Sequence, residues 1–359
     1  MLLLPTWLLR LALLAPLACG PAASPPTTPT TPAMPADAAE EKFRLYTGPC
    51  AAKGYPMTIQ FGAFVRPDGK TLPVPAGHTL EGSWGRSNYA QVVGDEFQPV
   101  PLSLEILYFS YLEDTFYEGT FALPHERLRQ LLRTGFWGQR ERQQLTYNQL
   151  MVCVLPKGMV VVWLSGPGRR VLVGRYQGMA SAVDFRRFYA KADRAEMFRY
   201  TLAEAPPAVQ AQVRGGTLST KQWDEYLKTY SWQVAFSQPL RLTTYQVNFL
   251  SGEYVGEPET QDLAPYLREL LTPQARPVPQ KLWLYVTDEA GHKYSLKVDP
   301  MDESETQAAF QQLHKAHPAA SITLHVETDK YVKAATLVLE SGGQRIPLTK
   351  SPVRITALN

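Results

Sequence analysis

Between Gly20 and Lys42 the chain is largely Pro, Thr and Ala, with almost no large apolar side chain. Such a stretch cannot bury enough surface to offset the entropy of ordering it, so the fold has to be built from Phe43 onward. Its prolines favour extended conformations, and ~23 residues at ~3.1 Å each reach roughly 70 Å, which suits a tether. Ahead of it, Leu11 to Ala18 is a short apolar run behind Arg10, closed by small residues and followed by Cys19. This is the shape of a secretory signal and is too short to cross a membrane as a helix.

The run Pro16-Leu17-Ala18-Cys19-Gly20 resembles the lipobox of bacterial lipoproteins, in which the cysteine after a small residue receives the lipid and becomes the mature N-terminus. That pattern usually has Leu three residues before the Cys; here Pro16 stands there and Leu17 is displaced by one. The resemblance implies a signal over residues 1–18, lipidation at Cys19 and a tether over 19–42. It also implies a membrane partner reached through the lipid, with the bacterial outer membrane favoured. The alternative is an ordinary signal cut after Gly20-Pro21-Ala22, which leaves a soluble secreted or periplasmic protein.

With 45% hydrophobic, 11% aromatic and 19% charged residues, the chain has the composition of a globular protein. A formal net charge of +3 gives no basic excess of the kind a dedicated nucleic-acid binder needs. In an oxidising compartment Cys50 and Cys153 can pair as a disulfide. Cys153, inside the apolar run Leu150 to Leu155, reads equally well as a buried thiol.

Patterning predicts an α+β fold with mainly antiparallel sheet, divided into a module over 43–257 and a smaller one over 258–359. In the first, Tyr55 to Val65 has strand composition and runs into the turn Pro67-Asp68-Gly69-Lys70. Alternation over Leu102 to Ser110 places Leu102, Leu104, Ile106 and Tyr108 on one face. Met159 to Ser165 and Val171 to Tyr176 flank Gly166-Pro167-Gly168-Arg169 as a hairpin. Leu128, Leu131 and Leu132 form one face of a helix between Pro124 and Gly135. Ser219 to Gln222 has capping-box spacing ahead of Trp223, Tyr226, Leu227 and Tyr230 at helical period. After Gly252, Leu263 to Leu271 suits an amphipathic helix and Thr272 to Pro279 reads as a linker. A hairpin (Leu282 to Thr287, His292 to Val298), a helix opening at Ser304 with Gln307 at capping-box spacing, and strands from Ser321, Ala334, Arg345 and Val353 complete the second module.

The first module resembles a family of bacterial lipoproteins known as domain of unknown function 2931. The resemblance rests on ordered pieces: Gly54-Tyr55-Pro56 with Pro67-Asp68-Gly69; Pro101 to Leu104 leading to Ser110, Glu113 and Tyr117; and Phe121 to Pro124. It continues through Leu155-Pro156-Lys157-Gly158-Met159 and on to Gly166, then the helix containing Trp223 to Tyr226, Ser231-Trp232 and Asn248 to Glu253. The pieces span about Phe43 to Tyr254. Lys157 stands where that family usually has glycine. The resemblance implies an envelope location and supplies no activity.

Motifs for chemistry are largely missing. No His-Glu-x-x-His or Cys-x-x-Cys spacing marks a metal site, and no Gly-x-Ser-x-Gly marks a hydrolase elbow, so no catalytic residue, metal or cofactor is assigned. His314 and His317, three apart on a predicted helix, read as a solvated pair. Ser110, Glu113 and Tyr117 form the sharpest polar constellation, at the end of a strand and in the turn after it. Glu113 is there either a general acid or base or a group that satisfies the N–H donors of the turn. A deep pocket holding Glu113 beside another ionisable group favours the first; bonding only to local backbone favours the second. Arg127, Arg129, Arg133, Arg169 and Arg170 form either a basic face for phospholipid headgroups, an anionic envelope polymer or an acidic partner protein, or a mixed solvated surface. The resulting expectation is a lipid-anchored envelope protein that binds an envelope protein or polymer. The alternatives are an immunity-like protein that neutralises an envelope-directed toxin, and an enzyme with Glu113 as acid or base.

Overall fold

A computed structural model describes residues 41–82, 84–87, 95–138, 143–256 and 264–358. Cys19 and the expected signal and most of the tether lie outside the described residues. The compact unit spans Glu41–Asn359.

Strands dominate, with helices set apart from them, so the α+β expectation holds. The central element is a nine-stranded sheet. Its order is Tyr46–Ala51, Gln149–Val154, Met159–Gly166, Arg169–Gln177, Tyr254–Val255, Arg241–Phe249, Pro279–Thr287, Lys293–Val298 and Arg354–Leu358. Its pairings are antiparallel except at one end, where Tyr46–Ala51 runs parallel to Gln149–Val154. Met159 to Leu164 are all buried, the continuous apolar run expected of a strand covered on both faces.

A six-stranded sheet is built on Met57–Val65, Ser103–Ser110 and Thr115–Ala122, and Tyr55 lies just ahead of its first strand. Alternation there buries Leu104, Ile106 and Tyr108 as expected, but Leu102 is 44% exposed. The strand begins only at Ser103, so Leu102 escapes the pleat that the alternation assumed. A five-stranded sheet has the order Gln274–Pro277, Thr229–Phe236, Ile322–Thr328, Ala335–Ser341 and Gln344–Pro347.

The expected division at 257/258 runs through the nine-stranded sheet. Arg241–Phe249 pairs along its length with Pro279–Thr287, and Thr229–Phe236 pairs with strands on both sides drawn from beyond residue 258. The described residues on the two sides of that division therefore share one main core, from Leu45 to Leu348, rather than packing as two modules, with a smaller cluster of Phe109, Phe116 and Phe185 beside it. The expected linker after Thr272 is an edge strand, Gln274–Pro277, followed by the first residues of Pro279–Thr287. Edge positions and strand starts are where proline is tolerated.

Helix Lys221–Tyr226 buries Trp223 and Tyr226 but ends there, and Tyr230 belongs to the next strand. Thr220 rather than Ser219 occupies its N-cap. Asp302, rather than Ser304, caps Glu303–Ala316 by accepting from the Glu305 N–H. The helix His125–Thr134 buries Leu128 and Leu132 and ends at Gly135, as read from the leucine spacing.

Two loops are joined backbone to backbone. Gly85 and Gly252 approach so closely that a Cβ on Gly252 would lie 3.1 Å from the Gly85 Cα. The indole of Trp84 donates to the Leu250 carbonyl (2.6 Å) and that of Trp163 to the Ser251 carbonyl (3.0 Å). The two rings meet edge to face at 4.9 Å, in a geometry that aromatic quadrupoles favour.

Candidate functional site

Ser103–Ser110 and Thr115–Ala122 are joined by a tight turn whose sequence, Tyr111-Leu112-Glu113-Asp114, carries Asp114 at φ 50°. Asp is among the few non-glycine residues that tolerate this left-handed conformation. The turn swings the Glu113 side chain back over the hairpin, where it is 6% exposed. Its Oε2 accepts from Ser110 Oγ (2.9 Å) and its Oε1 from the Tyr117 hydroxyl (3.0 Å), so the three residues read from the sequence do come together.

The partner that local reading missed is Lys157. Its backbone N–H donates to both carboxylate oxygens of Glu113 (3.2 and 3.0 Å), and its Nζ lies 3.3 Å from Oε1. Lys157 sits at φ 60°, ψ 26°, in the left-handed region where glycine is at ease. The turn Pro156–Gly158 is held a second time by the Tyr108 hydroxyl, which donates to the Leu155 carbonyl (2.7 Å). The constellation thus fastens the Pro156–Gly158 turn of one sheet to a hairpin of the other.

Burial, then the charge of Glu113, raises the Tyr117 phenol above its ordinary range, so Tyr117 keeps its proton and acts as a donor. The recess beside it is small, about 170 Å³, with Leu112, Val213 and Leu218 as apolar walls. It holds Glu113 beside an ionisable Lys157, yet both carboxylate oxygens are engaged by donors that lock them in place.

The two cysteines also meet. Cys50 and Cys153 occupy directly paired positions on the parallel strands Tyr46–Ala51 and Gln149–Val154, and both are buried free thiols. Burial, followed by the neighbouring Cys50, pushes the Cys153 thiol well above its ordinary value.

The five arginines, read either as a basic face or as part of a mixed solvated surface, each have a partner within the fold. Arg129 pairs with Glu126 (2.7 Å), Arg133 with Glu41 (2.8 Å) and Arg169 with Glu269 (2.9 Å). Arg127 donates weakly to the Val173 carbonyl (3.4 Å) and Arg170 to the Gly252 carbonyl (2.9 Å). Burial brings the Arg170 guanidinium down to about 10. Glu269, from beyond residue 258, and the shared core that half-buries Arg170 were not visible in the spacing of the arginines. Among the described residues, no group of three or more His, Cys, Asp and Glu side chains is gathered as a metal site would require, and no helix is long and apolar enough to cross a membrane.

No match was found among curated proteins or among solved structures. A family model described as "Protein of unknown function (DUF2931)" matches residues 25–220, which is more than half of the chain. The match ends short of the pieces from Trp223 to Glu253 that the resemblance had included. It takes in Ser110, Glu113, Tyr117, Lys157 and both paired cysteines, and the chain belongs to the DUF2931 family.

Proposed function

We propose that this protein is an exported cell-envelope protein, held to a membrane by lipid on Cys19, whose folded part binds another envelope component. The observation that carries this reading is the order of its N-terminal sequence: a short apolar run, a cysteine after a small residue, and a Pro/Thr/Ala segment that ends where the compact unit begins. A long Pro/Thr/Ala-rich spacer makes physical sense when its first residue is held in place. The carboxylate of Glu113, with Ser110, Tyr117 and Lys157 all donating to it, supports a role in holding the fold over one as general acid or base.

Expressing the full-length chain and its Cys19→Ala variant in a bacterial host tests the reading. The expected result is a diacylglycerol adduct on the N-terminal peptide and retention in the membrane fraction, both lost in the variant. An unmodified peptide beginning near Ala23 overturns it.

A further inference from the structure

The outer face of the nine-stranded sheet carries an arrangement of charge that the fold does not balance. Alternation along Pro279–Thr287 buries Leu282, Leu284 and Val286 and turns Trp283 and Tyr285 the other way. On the next strand Leu296 and Val298 are buried, and Lys297 stands directly opposite Trp283. Arg354, on the edge strand Arg354–Leu358, stands directly opposite Lys297. Gln246, Trp283, Lys297 and Arg354 therefore form one row across four strands.

Two cations placed directly opposite each other on neighbouring strands repel, and such pairs are destabilising. The Lys297 ammonium is held 4.4 Å from the centre of the Trp283 ring, which orients it without neutralising it. Among the described residues neither Lys297 nor Arg354 has an ion-pair partner. Both line a recess of about 300 Å³, walled by Trp283, Pro300 and Pro352. Asp299 also lines it, but its carboxylate is taken by Lys281 (2.7 Å). The indole N–H of Trp283 is buried and has no acceptor among the described residues. The recess thus offers two cationic donors, one of them held over an indole, and apolar walls, at the small end of the range of ligand sites.

The geometry points to a binding site for a small organic oxyanion, a phosphate or carboxylate group on a sugar-sized body, held between Lys297 and Arg354 with the body against Trp283 and the prolines. The anion removes the repulsion between the paired cations, and the pre-oriented ammonium lowers the entropy lost on binding. This site is independent of the lipid anchor proposed above.

Isothermal titration calorimetry of the full-length protein in detergent at low ionic strength tests it, with glucose 6-phosphate, glucuronate and glucose as probes. The expected result is binding of at least one anionic probe, none of glucose, and a loss of about tenfold or more in affinity for each of Lys297→Ala and Arg354→Ala. Whichever anion binds more tightly distinguishes phosphate from carboxylate. Thermal melts keep the test independent of folding: Arg354→Ala melts no lower than the parent without ligand, because it removes the like-charge pair, yet it loses the rise in Tm that the bound anion gives the parent. Absence of heat from both anionic probes, equal affinity for glucose, or unchanged affinity in the two variants overturns the assignment.

Discussion

Cys50 lies directly across from Cys153 on adjacent parallel strands, with both thiols shut away from solvent. A chain that folds in an oxidising compartment is expected to join them, because their positions are already in register. The same burial raises the Cys153 thiol and starves it of thiolate, so protein folded while reduced should resist oxidation. Alkylation under denaturing conditions checks this. No free thiol is expected at Cys50 or Cys153 after oxidative folding, and two are expected when the reduced, folded protein is exposed to mild oxidant. The bond closes a loop of about a hundred residues, and removing it with a Cys50→Ser, Cys153→Ser double substitution should cost about 2–4 kcal/mol.

Glu113 is predicted to matter for stability. In Glu113→Ala the Ser110 and Tyr117 hydroxyls and the Lys157 N–H all lose their acceptor, an expected loss of about 2–4 kcal/mol in urea unfolding. Glu113→Gln retains one acceptor oxygen and should lose less than half of that.

Lys157→Gly should leave the protein equally stable or more stable by up to about 1 kcal/mol. The substitution relieves the left-handed backbone at φ 60°, worth about 1 kcal/mol, and gives up an ion pair whose lysine is 52% exposed, worth less than that in water. Lys157→Val, which is β-branched and ill suited to positive φ, should instead lose about 2 kcal/mol or more. Urea midpoints of the two variants decide the matter.

Glu253 gives the fold a dependence on pH. Its carboxylate accepts from the Leu172 N–H (3.1 Å) and from Ser251 Oγ (3.0 Å), but burial outweighs these bonds and raises its pKa above the ordinary 4.5. The folded state then holds the proton more tightly than the unfolded chain. The contribution of Glu253 to stability is therefore full below pH 4.5 and is lost as pH rises through the folded value. Glu253→Gln should remove that component, so the stability difference between variant and parent should shift in favour of the variant as pH increases from about 4 to 7.

Local sequence carried the features that depend on near neighbours. The alternation of Leu104, Ile106 and Tyr108, the hairpin around Gly166 to Arg169 and the meeting of Ser110, Glu113 and Tyr117 all arise within a few residues of one another. What escaped depends on distant pairing. Tyr230 fits a helical period after Trp223 and Tyr226, yet it sits in a strand because Thr229–Phe236 is held by Gln274–Pro277 and Ile322–Thr328. The prolines after Thr272 suggest a linker only until the edge they occupy is known. Lys157 reaches Glu113 from 44 residues away, and nothing in the spacing of either residue announces the other. The assumed division at 257/258 fails for the same reason, because sheet order is a property of the whole chain.

The crossing of that division by the nine-stranded sheet bears on how such a protein can be inherited and handled. The stretch matched by the family ends at residue 220, before Tyr254–Val255, Arg241–Phe249 and the three strands after them. Cut there, Arg169–Gln177 would keep Met159–Gly166 but lose its other neighbour, Tyr254–Val255, and the indoles of Trp84 and Trp163 would lose the carbonyls of Leu250 and Ser251. A fragment of that kind exposes a bare strand edge and invites aggregation. In this chain the piece that signals kinship is smaller than the piece that can stand alone.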